Sequence, residues 1–553
     1  MGTHTNLPRY ARINGAGAFV TTFGPGELSA YCAHAGAFAE FVPVCHVVGY
    51  PGRSSFMARN TELTLSGVTA MKNHTLMHHT LGTGDFECVH GSLQKKYGST
   101  DCPFSMYHEM VKHISVDTAI LTDPATAAND IDRCLNAMLY ESRPVYIGVP
   151  VDMSHRIISS IGLETPLVRQ LPPNDINEES NVIQEIRSRL RASRYPIIIL
   201  DGNCVRNGCT DLANMLAKST EYAFFTTCMG KGGADETLPN FAGVYQGGGS
   251  LPAVRKAVEE RADCVIWLGS YRTDFNTGEF TDNVRESLII DLQRFHTQMG
   301  GKKYHAGIKG VMKALLHELK ASKLSRPPAN IDWDVYPVPA RTSNELNQDY
   351  LWSVFRYNQT VFGSIGYAGP SSAGAFQAAK DNGTYKRGIL VTGEGSLQLT
   401  AQFFADSLKL DHKPIVYTAR FSADVTSFVL NNNGYTVERL IHGKDASYNT
   451  LPQWDYKALA SVFGPKHATK YYGPIRTCQA LYHLLADEAF NACESFQVYN
   501  QATLSFIGFL LTVFQLVELI LPELDAPTSI RLTTEAVETF NNKNAAGSKT
   551  VGG

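Results

Sequence analysis

The sequence contains no CxxC pair. Its eleven cysteines are scattered, and the closest two are Cys204 and Cys209. That spacing argues against a zinc site, and the odd count argues against a disulfide framework; both fit a reducing compartment. There is no block rich in lysine or arginine. The 49 basic side chains face 52 acidic ones for a net charge of −3, so nucleic acid is not an expected partner. Long hydrophobic runs are missing too. Leu504–Val517 is apolar for 14 residues apart from Ser, Thr and Gln, against the roughly 20 that span a bilayer. It reads as a core helix or strand. The opening MGTHTNLPRYARING has no apolar signal core. Asn6 stands where a myristoylation pattern needs Ser or Thr. The expectation is a cytoplasmic chain with no membrane partner.

What is present is an ordinary enzyme-like balance, 44 % apolar and 18 % charged, over 553 residues. That length predicts several domains. Strands and helices alternate in three successive blocks. GAFVTTFG, VPVCHVVGYP and RPVYIGVP read as buried strands of the first, with GELSAYCAHAGAFAEF as a helix between two of them. NVIQEIRSRLRAS, YPIIILDGN, EYAFFTTC, CVIWLGS, LIIDLQ and KGVMKALLHELKAS build the second. GILVTGEGS, KPIVY, FVLNNNGY and QLVELILP mark the third. The predicted fold class is α/β, with three doubly wound parallel-sheet domains. Their expected bounds are 1–165, 175–325 and 346–553, with the proline-rich stretch 326–345 as a linker.

Two stretches carry chemistry. HHTLGTGDF places His78 and His79 side by side before a glycine-spaced turn, and imidazoles exchange protons near neutral pH. The alternative is a polar surface loop. In the third block, GILVTGEGS and FVLNNNGY each open from a strand into a turn. Open α/β sheets bind ligands at the carboxyl ends of their parallel strands. A carboxylate, an amide oxygen and a backbone carbonyl make an all-oxygen set, which suits Mg²⁺ bridging to phosphates. Glycines beside them let the backbone approach a diphosphate.

These residues resemble the thiamine diphosphate signature, in which GDG is followed by NN. More narrowly, the chain resembles the fungal pyruvate decarboxylases. GELSAYCAHAGAFAEFVPVCHVVGYP, HHTLGTGDF, RPVYIGVPVDM, MGKGGADETLPNFAGVY, TDFNTGEF, FGSIGYA, GEGSLQLT, NNNGYTVERLIHG and QLVELILPELDAP follow the family's order along most of the chain. The resemblance implies a pyrimidine-binding, a middle and a diphosphate-binding domain. It also implies a homodimer or homotetramer with active sites between subunits. The implied cofactors are thiamine diphosphate and Mg²⁺. The implied reaction is non-oxidative decarboxylation of a small 2-oxo acid, usually pyruvate, to an aldehyde and CO₂.

By the same resemblance, Glu394, Asn432 and the Gly434 carbonyl would hold the metal, and Gly395 and Ser396 would lie beside the diphosphate. Gly363 would meet the aminopyrimidine, and Ile365 would wedge under the cofactor. A stiff branched aliphatic suits that task. His78, His79 and Glu438 would handle protons around substrate and product. Asp85 would orient the histidine turn.

The chain departs from the family in four respects. The family's matching region is preceded by a segment bearing the glutamate that protonates the pyrimidine ring, and neither Glu27 nor Glu40 stands at its position. Loss of such a donor commonly lowers rate by about 10²–10⁴, so weak or absent turnover is expected. Glu394 replaces an aspartate. Between Trp352 and Phe362 a strand and a cofactor-touching turn are missing. Segments near 53–67, 87–103, 418–427 and 492–514 look inserted. Competing readings are a catalytically silent homologue that binds active subunits, another thiamine enzyme of the acetolactate or indolepyruvate type, and, less well supported, a metal phosphodiesterase on His78, His79 and Asp85.

Overall fold

The computed structural model describes residues 6–53, 105–168, 170–322, 345–354, 364–384, 388–405, 425–442, 445–463, 468–491 and 513–548. Three sheets follow one another along the chain. The first contains β1 (Gly17–Thr22), β2 (Val44–Tyr50), β3 (Asp117–Ile120) and β4 (Val145–Pro150), in the order β1-β2-β4-β3. All its pairings are parallel. The helices Pro25–Ala39 and Ala127–Glu141 form the connections that parallel neighbours require.

Alternation along these strands divides their side chains between two faces. Cys45, Val145 and Ile147 pack with Cys134 and Met138 of the helix Ala127–Glu141. Val48, Tyr50 and Tyr146 pack on the other face with Val111 of the helix Ser105–Lys112.

The middle sheet holds β5 (Pro196–Leu200), β6 (Ala223–Thr227), β7 (Phe241–Tyr245), β8 (Cys264–Leu268), β9 (Ile289–Leu292), β10 (Thr297–Met299) and β11 (Lys302–Tyr304). Its order is β11-β10-β9-β8-β5-β6-β7. The PIIIL run of β5 is apolar without interruption because both faces are covered. Ile198 and Leu200 join one core cluster, and Ile197 and Ile199 join the other. Each such side chain contributes about 2–3 kcal/mol on burial. The parallel part matches the sequence reading, and β10 and β11 extend it with an antiparallel edge that the pattern did not reveal.

The third sheet contains β12 (Gly388–Gly393), β13 (Val425–Asn431), β14 (Ala468–Ile475) and β15 (Val513–Ile520), all parallel, in the order β12-β13-β15-β14. It repeats the strand order of the first sheet. Val429 and Leu516 point into one cluster, while Phe428, Val517 and Leu519 point into the other. Residues 513–517 of the apolar run thus belong to a core strand, as expected; the remainder of that run and KPIVY lie outside the described residues. Among the described residues no helix is long and apolar enough to cross a membrane.

Contacts between the units are specific. Arg206, beside β5, reaches Glu40 at 2.5 Å, with both side chains only 3 % exposed, and Arg12 adds a second bond to the same carboxylate at 2.9 Å. The Arg206 guanidinium also lies over the Tyr271 ring, 4.5 Å from its centre. The helix Asn6–Asn14 meets the helix Ala368–Asp381 through Tyr10, whose hydroxyl donates to Asp381 at 3.0 Å. The last helix, Thr528–Ser548, starts against Asp349, which accepts from the Thr528 N–H at 2.9 Å. It then crosses Gly248, where an added Cβ would sit 2.3 Å from Cβ of Ala536.

Candidate active site

β12 and β13 are parallel neighbours with Gly393 opposite Leu430, so both strands deliver the chain to the same edge of the sheet. From β12 the chain turns directly into the helix Glu394–Thr400. From β13 it enters the turn Asn432–Tyr435 and then the helix Thr436–His442. Glu394 and the asparagine turn therefore meet side by side, as the two motifs suggested.

The Glu394 side chain is 2 % exposed. Its Oε1 accepts the Gly434 N–H at 2.7 Å and the Asn432 N–H at 3.3 Å. Burial raises its pKa above the ordinary carboxylate value; the Gly434 N–H and the nearby Arg439 charge oppose that shift. A buried carboxylate in this state gains from a cation placed beside it.

The turn has little freedom. Asn433 takes φ 63° and Gly434 φ 137°. A Cβ on Gly434 would stand 2.0 Å from the Asn449 carbonyl oxygen, so a side chain there cannot fit. Arg439, 2 % exposed, donates to the Asn433 carbonyl at 3.0 Å and pairs with Glu523. Behind the turn, Asn431 donates to Glu518 of β15 at 3.0 Å and to Gln453 at 3.2 Å.

The Asn432 side chain decides what this pocket fits. One end of its amide lies 3.0 and 3.2 Å from the two Glu394 oxygens and 2.9 Å from the Gly434 carbonyl; the other end meets the Thr436 hydroxyl. With nitrogen toward Thr436, the amide oxygen faces three other oxygens and no proton lies among them. Reversed, the NH₂ group would hydrogen-bond to them. Adjacent ligands of an octahedral Mg²⁺ at 2.0–2.1 Å stand about 3.0 Å apart, which is the spacing present. The donor set therefore fits a hard cation. Among the described residues no group of three His, Cys, Asp or Glu offers another metal site.

Ser396 accepts the Gly366 N–H at 2.9 Å, and Thr400 donates to the Gly366 carbonyl at 2.8 Å. These bonds tie the segment carrying Ile365 to the Glu394 helix. Ile365 is 50 % exposed beside it. Gly395 has its Cβ position filled by the Tyr435 ring at 2.4 Å, so close packing alone accounts for the glycine there.

Glu438 is half-buried on the helix that begins at Thr436. It lies two positions after Thr436, about 200° around the helix from it. His78, His79, Asp85 and Gly363 lie outside the described residues. Glu27 and Glu40 both have structural partners. Glu27 accepts from the Gly24 N–H at 2.7 Å, from Tyr146 at 2.6 Å and from Tyr31 at 3.0 Å. Glu40 holds Arg12 and Arg206. Sequence reasoning missed Thr436, Arg439, Glu518 and Glu523; only the adjacency of Thr436 and Arg439 to NNNGY could have pointed to them.

Residues 183–319 match the thiamine pyrophosphate enzyme central domain. Over the whole chain, the pyruvate decarboxylase of Candida glabrata is 33 % identical, covering 97 % of this chain and 89 % of its own. Pyruvate decarboxylase isozyme 1 of Saccharomyces cerevisiae is 32 % identical, covering 94 % and 87 %. Among solved structures, a thiamine diphosphate-dependent 4-hydroxybenzoylformate decarboxylase from Rhodococcus jostii superposes with a TM-score of 0.63 at 16 % identity, over 94 % of this chain and 90 % of that one. A putative thiamin diphosphate-dependent enzyme from Mycobacterium smegmatis gives 0.61 at 14 % identity, over 94 % and 90 %. At these identities the structural matches speak for the fold.

Proposed function

Because the chain belongs to the pyruvate decarboxylase family, we propose that it decarboxylates a 2-oxo acid without oxidation, with thiamine diphosphate and Mg²⁺ as cofactors and pyruvate as substrate. The products would be acetaldehyde and CO₂. The observation that supports this most is the convergence of the Glu394 carboxylate and the Gly434 carbonyl on one end of the Asn432 amide, at 2.9–3.2 Å.

When bound, thiamine diphosphate supplies the electron sink that lets CO₂ leave a 2-oxo acid. Glu394, Asn432 and the Gly434 carbonyl would hold Mg²⁺ against the diphosphate. Gly395 and Ser396 would line the diphosphate, with Gly363 and Ile365 against the rest of the cofactor. The Ile365 side chain offers no proton and no hydrogen bond, so it can exclude water without competing for acid–base chemistry. His78, His79 and Glu438 would deliver the proton that replaces CO₂ before the aldehyde departs. The assembly would be a homodimer or homotetramer in the cytoplasm, with sites shared between subunits.

The test is product formation by the purified 553-residue chain supplied with pyruvate, thiamine diphosphate and Mg²⁺. Slow acetaldehyde and CO₂ release that stops without the cofactor is expected. No release, or a condensed acetolactate-type product, would overturn the decarboxylase reading.

A further inference from the structure

We infer that Thr436 is a positioning residue that turns the Asn432 amide into its metal-binding orientation. The inference rests on Glu394, Asn432 and Gly434 being the metal site. An asparagine can present either oxygen or nitrogen to its surroundings, and the two ends have the same shape. Only the oxygen can ligate a cation. Some neighbour must therefore distinguish the ends before the metal arrives.

Thr436 can do so because a hydroxyl has a single proton. It donates that proton to the Glu523 carbonyl at 2.7 Å. A carbonyl can only accept, so the direction of this bond is fixed. The Thr436 oxygen then has only lone pairs left to offer Asn432. The group on the amide that meets a lone pair is Nδ2, so the orientation that keeps the Glu523 bond is the one in which Asn432 donates to Thr436. Oδ1 is thereby turned toward Glu394 and Gly434. Reversing the amide would force the hydroxyl to abandon Glu523. Thr436 is 5 % exposed, which keeps this choice away from competing bulk water.

The result is two orientations with opposing preferences. In the absence of a cation, the Glu394 carboxylate and the Gly434 carbonyl favour the nitrogen. The Thr436–Glu523 bond favours the oxygen. Thr436 thus reduces the reorganisation that metal binding would otherwise require. Partners behind a metal ligand typically change affinity by 10–100-fold.

Thr436→Val replaces the hydroxyl with a methyl group of similar size, and Thr436→Ser keeps it. The probe is Mn²⁺ with excess thiamine diphosphate, read as loss of the free Mn²⁺ EPR signal, with circular dichroism melts to confirm folding. Thr436→Val should weaken Mn²⁺ binding by about 10–100-fold, and Thr436→Ser by no more than about threefold. In an Asn432→Asp background the valine substitution should have little further effect, because a carboxylate presents oxygen whichever way it turns. If Thr436→Val does not fold, Thr436→Ala gives the same comparison. Equal Mn²⁺ binding by wild type and the folded variant would overturn the inference alone. Failure of the wild-type chain to bind Mn²⁺ would overturn the metal site, and the inference with it.

Discussion

The Glu394 carboxylate accepts the Gly434 N–H at 2.7 Å, joining the end of β12 to the turn after β13. This bond brings two motifs 40 residues apart into one pocket. It also fixes a buried charge that the chain alone stabilises poorly.

Removing that charge should separate stability from binding. The raised pKa of Glu394 makes a contribution that is fully favourable below the ordinary carboxylate value of 4.5 and is lost as pH rises through the folded value. Glu394→Gln keeps an oxygen for Gly434 without the charge. Metal-free Glu394→Gln should therefore melt higher than wild type near pH 7 and no higher near pH 4. Mg²⁺ with thiamine diphosphate should raise the wild-type Tm but not that of the variant. Differential scanning fluorimetry across pH tests both parts.

The Asn431–Glu518 bond should support the turn from behind. Asn431→Ala removes the bonds to Glu518 and Gln453. We expect about 10-fold weaker Mn²⁺ binding, the lower end of what such supporting partners contribute. Mn²⁺ titration by EPR reads the change directly.

Glu40 and Arg206 should be mutually dependent. Removing one member of a buried ion pair leaves the other charge unpaired, at about 3–5 kcal/mol. Arg206→Met and Glu40→Gln singly should each lower the urea midpoint strongly. Together they should lose less than the sum, unless Arg12 fully compensates at Glu40. Urea unfolding of the four proteins completes the cycle.

Much of the architecture was readable because the strands are apolar and the turns between them are glycine-rich. PIIIL, CVIWL and GILVTG became β5, β8 and β12 in the order expected. The short β3, DTAI, carries too few apolar residues to stand out, and KKY of β11 is defined by its pairing with β10. At the candidate site, the meeting of Glu394 with the turn carrying Asn432 and Gly434 was legible because both follow strand ends. Thr436 was not. Its role depends on which way one proton points, and that is set by the carbonyl of Glu523, 87 residues away. Glu518 was hidden for a similar reason, since it reads as one polar position in the strand QLVELI until β15 is paired beside β13.

Asp291 offers a pH test in the middle sheet. Burial raises its carboxyl to about 6, despite hydrogen bonds from Gln293 and Ser270. Its stabilising contribution is present below the ordinary value of 3.8 and is lost as pH rises through about 6. Asp291→Asn should accordingly gain on wild type by on the order of 1–3 kcal/mol between pH 5 and 8. Urea midpoints measured at both pH values check the sign.

The most direct measurement is calorimetric titration of thiamine diphosphate into the metal-stripped chain, with and without Mg²⁺. The account predicts one equivalent bound per chain when Mg²⁺ is present, with binding lost in EDTA and in Glu394→Gln. Binding that is indifferent to Mg²⁺ and to Glu394, or no binding under either condition, would contradict it.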